Sequence, residues 1–331
     1  MDVIRSAFAL VGLALGLLTT PLALEAQEAG NVWRIGFLGG STPVNGAPLA
    51  EAFRQGLRER GHVEGRNITI DYRWAHGKVD AMPGLAAELV RLKVDVIVAG
   101  GTAVALAARD ATRTIPIVFA AAADPVGAKL VSSLARPGGN LTGLSTANID
   151  TVGKRLELLR EMLPGKIARV GFVFNPADAS NLLGIQERAA PARGLGITLR
   201  PIEVRGPDDL EVAFSRMTSE RIDAVSVAAG PLTNTHATRI VQLAAAHRLP
   251  AIYGSRLFVE AGGLMSYSTD FREQYRGAAA YVDKILKGAR AADLPVQQPT
   301  KFELVMNIKT LKALGLAIPE SVRVRVDQFL E

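Results

Sequence analysis

Short runs of β-branched and other apolar residues alternate along this chain with stretches whose apolar positions recur every three to four residues. That alternation is the pattern of repeated strand–helix units and parallel sheets. The first set predicts a strand over 33–38, a helix over 48–60 ending before Gly61, and a strand over 68–73 with Ile68, Ile70 and Tyr72 on one face. A helix over 82–92 and a strand over 94–99 follow, then an alanine-rich helix that opens after Gly100-Gly101-Thr102 and ends near Arg109. A strand over 117–120, a helix after Pro125 and a strand over 141–144 complete this set. A crossing helix over 151–162 leads to a second set, with strands over 170–174, 198–203, 224–228, 251–253 and 264–266. Helices over 179–193, 207–218, 236–246 and 257–260 separate them. A helix over 271–286 returns to the first set, and beyond Pro295 and Pro299 a strand over 302–307 passes back to the second.

The two sets share wording as well as rhythm. Arg34-Ile35-Gly36-Phe37-Leu38 returns as Arg169-Val170-Gly171-Phe172-Val173, and Val94-Asp95-Val96-Ile97-Val98-Ala99 as Ile222-Asp223-Ala224-Val225-Ser226-Val227. Ile115-Pro116-Ile117-Val118-Phe119 returns as Leu249-Pro250-Ala251-Ile252-Tyr253, and Gly138-Gly139-Asn140-Leu141-Thr142 as Gly262-Gly263-Leu264-Met265-Ser266. Any one match is cheap in an α/β chain, but four in order, at offsets of roughly 124 to 135 residues, imply two lobes of one topology with a cleft between them. The expected architecture is α/β: two similar lobes, each a parallel sheet flanked by helices, joined by a multi-strand hinge. Ligand-facing loops then lie at the strands' carboxyl ends, and small changes in the crossovers open and close the cleft.

Length and composition agree with this picture. A chain of 331 residues is long for one core, and 48% hydrophobic with 21% charged residues is a globular composition. Arg5, the apolar run over 7–18, Pro21 and the small residues up to Ala26 read as an export signal cleaved near Ala26, which would place the mature protein in the periplasm. No later segment approaches 18 uninterrupted apolar residues. The lobes expected are residues 31–147 with about 271–298, and 148–270 with about 299–331.

The chain has no cysteine, which removes disulfides, thiolate catalysis and a lipid-modified cysteine after the signal. Removing Asp2, Arg5 and Glu25 with residues 1–26 turns the formal charge from +6 to +7. The basic residues are scattered and few aromatics accompany them, so a nucleic-acid groove is not expected. The aromatics near predicted strand ends, Phe119, Tyr253 and Tyr267, are read first as core.

Several passages resemble a known family, the ABC-transporter substrate-binding proteins related to the tryptophan- and tyrosine-binding members, which have a type I periplasmic binding fold. The carriers are Gly61-His62-Val63-Glu64-Gly65-Arg66-Asn67-Ile68, Thr114-Ile115-Pro116-Ile117-Val118-Phe119 running into Asp124-Pro125-Val126-Gly127-Ala128, and Arg136-Pro137-Gly138-Gly139-Asn140-Leu141-Thr142-Gly143. Late in the chain comes Pro299-Thr300-Lys301-Phe302-Glu303-Leu304-Val305-Met306-Asn307. The likeness spans about residues 34–322. It implies a monomeric periplasmic receptor without a cofactor, which grips a small solute with loops of both lobes and hands it to an ABC permease in the inner membrane. Amino acids, carboxylates and other small anions are the candidate solutes.

Carried over by position, the resemblance offers Ser41, Thr42, Gly101, Thr102 and Ala122, within the stretch 121–124, in the first lobe. Gly101-Thr102 opens a helix, whose free N–H groups and positive end suit a carboxylate; the plainer reading is that Thr102 caps its own helix. Asp124, before Pro125, reads as a cap or turn residue. The second lobe offers Asn175, Asp178, Ser180 and Asn181, with Asp178 the acid best placed to meet a ligand amine, or else a helix cap along with Ser180. Asp270 either serves instead or caps the helix beginning at Phe271.

The chain departs from the family at Ala228-Ala229-Gly230-Pro231 and Gly254-Ser255-Arg256, where amino-acid-binding relatives tend to carry polar or acidic residues. Gly230, Gly254 and Arg256 are the candidates these loops supply. A buried ammonium without an acidic partner is costly, so this departure tilts the expectation toward an anionic or neutral solute, with Arg256 either a clamp or an ordinary solvent-facing arginine.

Other classes find little support. His62, His76, His236 and His247 have no metal spacing. There is no G-x-S-x-G or G-x-x-x-x-G-K motif, and the only G-x-G, Gly194-Leu195-Gly196, precedes a strand. Enzyme chemistry and a metal site are therefore not expected, and a transcription regulator would need a DNA-reading module that this sequence lacks. An exported binder that partners a sensor instead of a transporter remains open.

Overall fold

A computed structural model describes residues 32–147, 151–163, 165, 167–178, 181 and 185–331. The predicted export signal, Ser180 and the start of the helix expected over 179–193 lie outside those residues.

The first sheet is built from β1 (Trp33–Gly39), β2 (Ile68–Trp74), β3 (Val96–Ala99), β4 (Ile117–Ala122) and β5 (Leu141–Ser145), with α1 (Pro43–Arg58), α2 (Met82–Arg91) and α3 (Thr102–Ala111) between them. Then α4 (Thr151–Met162) leads to β6 (Arg169–Phe174), α5 (Ile185–Gly194), β7 (Thr198–Glu203), α6 (Asp209–Ser219) and β8 (Ala224–Val227). After α7 (Pro231–Thr235) and α8 (Ala237–Ala246) come β9 (Ala251–Tyr253), α9 (Leu257–Glu260), β10 (Met265–Ser268) and the long α10 (Phe271–Leu286). The chain closes with β11 (Glu303–Asn307), α11 (Ile308–Ala313), α12 (Glu320–Arg323) and β12 (Gln328–Leu330).

The four sequence echoes land on equivalent strands. The first sheet runs β2-β1-β3-β4-β5, and the second runs β7-β6-β8-β9-β10 before adding β11 and β12 at its edge. Pairing is parallel except that β11 runs antiparallel to β10. The repeat extends to hydrogen bonds. The Arg34 N–H donates to Asp95 Oδ2 at 2.7 Å, and the Arg169 N–H donates to Asp223 Oδ2 at 2.8 Å. In return the Asp95 and Asp223 N–H groups donate to the carbonyls of Arg34 and Arg169. Each aspartate thus pins the start of a central strand to its neighbour, which explains an acid just before an apolar run.

Apolar residues alternate across the first sheet. Ile35, Phe37, Val96 and Val98 pack with Phe53 and Leu57 of α1 and with Ala278 and Val282 of α10. Leu38, Ile97 and Ala99 pack with Leu89 of α2 and Val104 and Ala108 of α3. Each fully buried valine, leucine, isoleucine or phenylalanine among these contributes about 1.5–3 kcal/mol. Although α10 follows the second sheet in sequence, its strongest packing is on α1 and on β4 and β5 of the first. The return crossover is tied down too: the Ser145 N–H donates to the Gln297 carbonyl at 2.8 Å, and the Gln297 N–H donates to the Gly143 carbonyl at 3.0 Å.

Two sequence expectations need correction. Helix α1 starts at Pro43 rather than at 48, capped by Thr42, whose Oγ1 accepts the Asn45 N–H at 3.3 Å. Pro48 sits inside it; the carbonyl it leaves unpaired is that of Val44, a residue exposed to water. No helix follows Pro125. Asp124 Oδ1 instead accepts the Gly127 N–H at 2.8 Å and forms a turn. The helix expected over 236–246 is α8, and the short α7, which the sequence reading did not foresee, precedes it and ends at His236.

Asp283 of α10 ties that helix to the loop after α1. Its Oδ1 lies 2.8 Å from His62 Nε2, and Lys287 Nζ donates to its Oδ2 at 3.0 Å. Burial alone would raise this carboxyl, but the hydrogen bonds from Lys287 and His62 outweigh it and hold the group below the ordinary aspartate value. A depressed carboxyl stabilises the fold above its ordinary range and loses that contribution as the pH falls through the lowered value. Asp283→Asn is therefore expected to cost about 1–2 kcal/mol at neutral pH and little below that window. Urea titrations of both proteins across the acid range would check it.

Candidate functional site

The carboxyl ends of both sheets' strands face one cavity of about 130 Å³. The first sheet contributes Gly39 at the end of β1, Trp74 at the end of β2, Gly100 and Gly101 after β3, and Ala121 and Ala123 around the end of β4. The second contributes Asp178 after β6, Gly230 after β8, and Ser255 and Arg256 after β9. Two doubly wound sheets meeting by their carboxyl edges put the loop residues of both into one space, as expected of such sheets.

One end of the cavity is polar. The loop after β6 is braced by asparagines: Asn175 Oδ1 accepts the Ala177 N–H at 2.9 Å, and Asn181 Nδ2 donates to the Asn175 carbonyl at 3.3 Å. This holds Asp178, only 3% exposed, against the cavity beside Gly230, where an added Cβ would stand 3.0 Å from Asp178 Oδ2. Across the cavity, α3 begins at Gly101, and the amides of its first turn have no partner within the helix. Thr102 does not cap that helix. Its Oγ1 accepts the Ala123 N–H at 2.9 Å and so fixes the loop after β4. The Tyr275 hydroxyl donates to the Gly100 carbonyl at 2.9 Å, where a Cβ at Gly100 would come within 2.6 Å of that oxygen.

The other end is apolar, formed by Phe37, Leu49, Trp74, Phe271 and Tyr275. Ring centroids of Phe37 and Trp74 lie 5.4 Å apart, and Trp74 stacks on Tyr72 at 6.4 Å with the planes 1° from parallel.

Arg256 lines the cavity, but three of its five N–H donors are committed elsewhere. Nε donates to Glu260 Oε1 at 2.9 Å, Nη1 to Glu303 Oε2 at 3.3 Å and Nη2 to Gln328 Oε1 at 3.0 Å. Glu260 also accepts from Arg272. Burial, more than anything else, pushes the Glu303 carboxyl above its ordinary value, opposed by Arg256.

Of the residues predicted to form the site, Ser41, Gly101, Thr102, Asp178, Gly230 and Arg256 line this cavity. Thr42, Ala122, Asn175, Asn181, Gly254 and Asp270 do not. The reasons are local. Ala122 packs into the core while Ala121 and Ala123 on either side face the cavity, as the two-residue period of a strand requires. Gly254 lies against the backbone of the neighbouring loop, its Cβ position 3.0 Å from the Ala229 amide. Asp270 caps α10, accepting the Arg272 N–H at 2.8 Å. Sequence reasoning missed the apolar end altogether, and with it Asn45, Asn234 and Trp74. The aromatics it did single out, Phe119 and Tyr253, are core, and Tyr267 stacks on Phe302.

The two lobes touch beside the cavity. Asn45 Nδ2 of α1 donates to the carbonyls of Asn234 at 2.8 Å and Thr235 at 3.2 Å in α7. Close backbone approach continues on either side. A Cβ at Gly40 would stand 3.0 Å from Pro231 Cγ, and one at Gly77, which already has φ of +79°, 3.0 Å from Thr235 Oγ1. Asn45→Ala removes both interlobe donations, each worth about 0.5–1.5 kcal/mol net. Solute affinity measured by calorimetry is expected to fall by about fivefold to twentyfold, with the unliganded melting temperature unchanged.

Among the described residues, no group of histidines and acids is arranged to hold a metal ion, and no helix is long and apolar enough to cross a membrane. Fold and cavity together define a two-lobed binding protein of the type I periplasmic class. Residues 47–330 match the family described as ABC transporter substrate binding protein, and the chain belongs to that family. A tyrosine-binding protein of Clostridioides difficile is 28% identical over 266 residues, which covers 80% of this chain and 76% of that protein. A Streptococcus pneumoniae domain crystallised with L-Trp superimposes with a TM-score of 0.84 at 27% identity, covering 91% of this chain and all of the other. A ligand-free, open substrate-binding protein with adhesive properties from Clostridium difficile, at 26% identity and 91% coverage of this chain (99% of its own), scores 0.64.

Proposed function

We propose that this chain is exported, cleaved near Ala26, and captures a small zwitterionic solute in the cavity for delivery to an ABC-type permease of the inner membrane. In this reading the halves that close are residues 31–147 with about 271–298 and residues 148–270 with about 299–331. The observation that carries it is the composition of the cavity wall. A buried carboxylate of one lobe, Asp178, shares a cavity of about 130 Å³ with the amino end of α3 in the other lobe. Asp178 complements an ammonium group, and the first-turn amides and positive end of α3 complement a carboxylate. A solute carrying both groups bridges the lobes.

The commitments of Arg256 weaken the reason for preferring an anion, because its charge is already paired with Glu260 and Glu303. The relatives' tyrosine and L-Trp ligands favour the same class. TM-scores of 0.84 to the L-Trp complex and 0.64 to the open protein, at nearly equal identity, support a closed arrangement of the lobes. Solute binding then stabilises a closed arrangement that a permease reads as one joint surface.

Calorimetry against an L-amino acid and its two partners, one lacking the amine and one lacking the carboxylate, tests the proposal. Binding of the zwitterion alone at about micromolar affinity, roughly −8 kcal/mol, is the expected result. Equal binding of the amine-free carboxylate would overturn the role given to Asp178.

A further inference from the structure

The apolar end of the cavity depends on an unusual seat for one side chain. Trp74 ends β2 directly opposite Gly39 of β1, and its ring also lies over Gly46 of α1. A Cβ at either glycine would overlap the indole ring, so two missing side chains on two different elements form the slot that holds it. Tyr72 stacks behind the ring and Phe37 tilts against it at 5.4 Å. The ring fills that slot and lines the cavity.

Volume gives this seat a consequence. An apolar cavity of about 150 Å³ admits benzene, and the whole cavity here, polar end included, measures about 130 Å³. With a solute's head group held at the polar end, the part of that volume left beside Trp74 suits at most one six-membered ring or a branched aliphatic group and is too small for a fused bicyclic one. We propose that Trp74, seated on Gly39 and Gly46, is the size gauge of the solute pocket: it admits an apolar group up to a single ring and excludes indole. This rests on the capture reading above and deepens it, and it separates this chain from the relative that holds L-Trp.

The test is calorimetry of the wild-type chain, Trp74→Ala, Trp74→Phe and Gly46→Ala with L-leucine, L-phenylalanine and L-tryptophan, and with phenol and indole as ring probes without an amino-acid head group. The wild type should bind L-phenylalanine or L-leucine at least about tenfold more tightly than L-tryptophan, and phenol over indole. Trp74→Ala should raise L-tryptophan and indole binding by about tenfold or more, and Trp74→Phe, which keeps a ring in the slot, by less. Gly46→Ala, which drives the indole ring into the cavity, should lower binding of L-phenylalanine or L-leucine, whichever the wild type binds more tightly, by about tenfold.

The chain has two tryptophans, so Trp33→Phe leaves Trp74 as the sole indole reporter, and its emission should shift on solute addition. A purely structural Trp74 would leave that emission unmoved. An unchanged order of preference in both Trp74 variants overturns the gauge, as does wild-type binding of L-tryptophan equal to that of L-phenylalanine. If no ring compound binds any of the proteins, the gauge is also wrong. Compaction of the wild type in a pool of periplasmic solutes would then show that capture survives without it, and no compaction would remove both.

Discussion

Asp178→Ala is expected to lower solute affinity by about a hundredfold or more while the protein remains folded. The carboxylate is 3% exposed and lines the cavity, so the ammonium it would meet is taken out of water on binding. Truncating one partner of such a buried, charged hydrogen bond costs about 2–5 kcal/mol, mostly because the other charge is left without compensation. Asp178→Asn keeps the shape and removes the charge, so it should lose nearly as much for a zwitterion but little for a neutral amide-containing solute. Calorimetry gives the affinities, and thermal melts of the unliganded proteins report the fold. Affinity within threefold of wild type in both variants would take Asp178 out of the site.

Gly40→Val should be the other large effect, and it acts without touching charge. Gly40 follows β1, and a Cβ there would stand 3.0 Å from Pro231 Cγ and 3.2 Å from Pro231 Cβ in the opposite lobe. Two further methyl groups make that contact a wedge. Overpacking of this kind costs about 1–3 kcal/mol, and opening the cleft relieves the part of it that Pro231 imposes. The closed population, and with it the affinity, should fall by about tenfold to a hundredfold, while the melting temperature of the unliganded chain stays close to that of wild type. Val104 Cγ2 of the same lobe lies 3.3 Å from that Cβ, so Gly40→Val combined with Pro231→Gly, which removes the opposite wall and keeps Val104, is the control that separates the wedge from crowding within the lobe.

The sequence made the frame of this molecule readable because the frame is local and repeated. The pair Asp95 and Asp223 shows why: each acid precedes an apolar strand and bonds the amide of the preceding central strand, so the same structural need leaves the same mark twice. The neighbouring of β1 with β3 and of β6 with β8 carries such a mark. The loops at the strands' carboxyl ends were readable for the same reason, and Gly101, Asp178 and Gly230 do face one cavity. What escaped is non-local. Asn45 bonds Asn234 across 189 positions of sequence, and nothing in either residue's surroundings signals the other. Trp74 looks like an ordinary strand-end aromatic until Gly39 and Gly46 are seen to leave it a slot. The choice of Ala122 over its neighbours failed by one residue, which on a strand is the difference between cavity and core. The partners of Arg256 were not readable because Glu303 and Gln328 arrive on β11 and β12 from the far end of the chain.

Small-angle X-ray scattering of the full chain, with and without a saturating solute, bears most directly on capture by closure. The curve without solute should deviate from the one calculated for this structure, in which Asn45 reaches Asn234, and solute should bring the two into agreement with a smaller radius of gyration. A solute that calorimetry shows to be bound, yet leaves the curve unmoved in either lobe arrangement, would contradict the account.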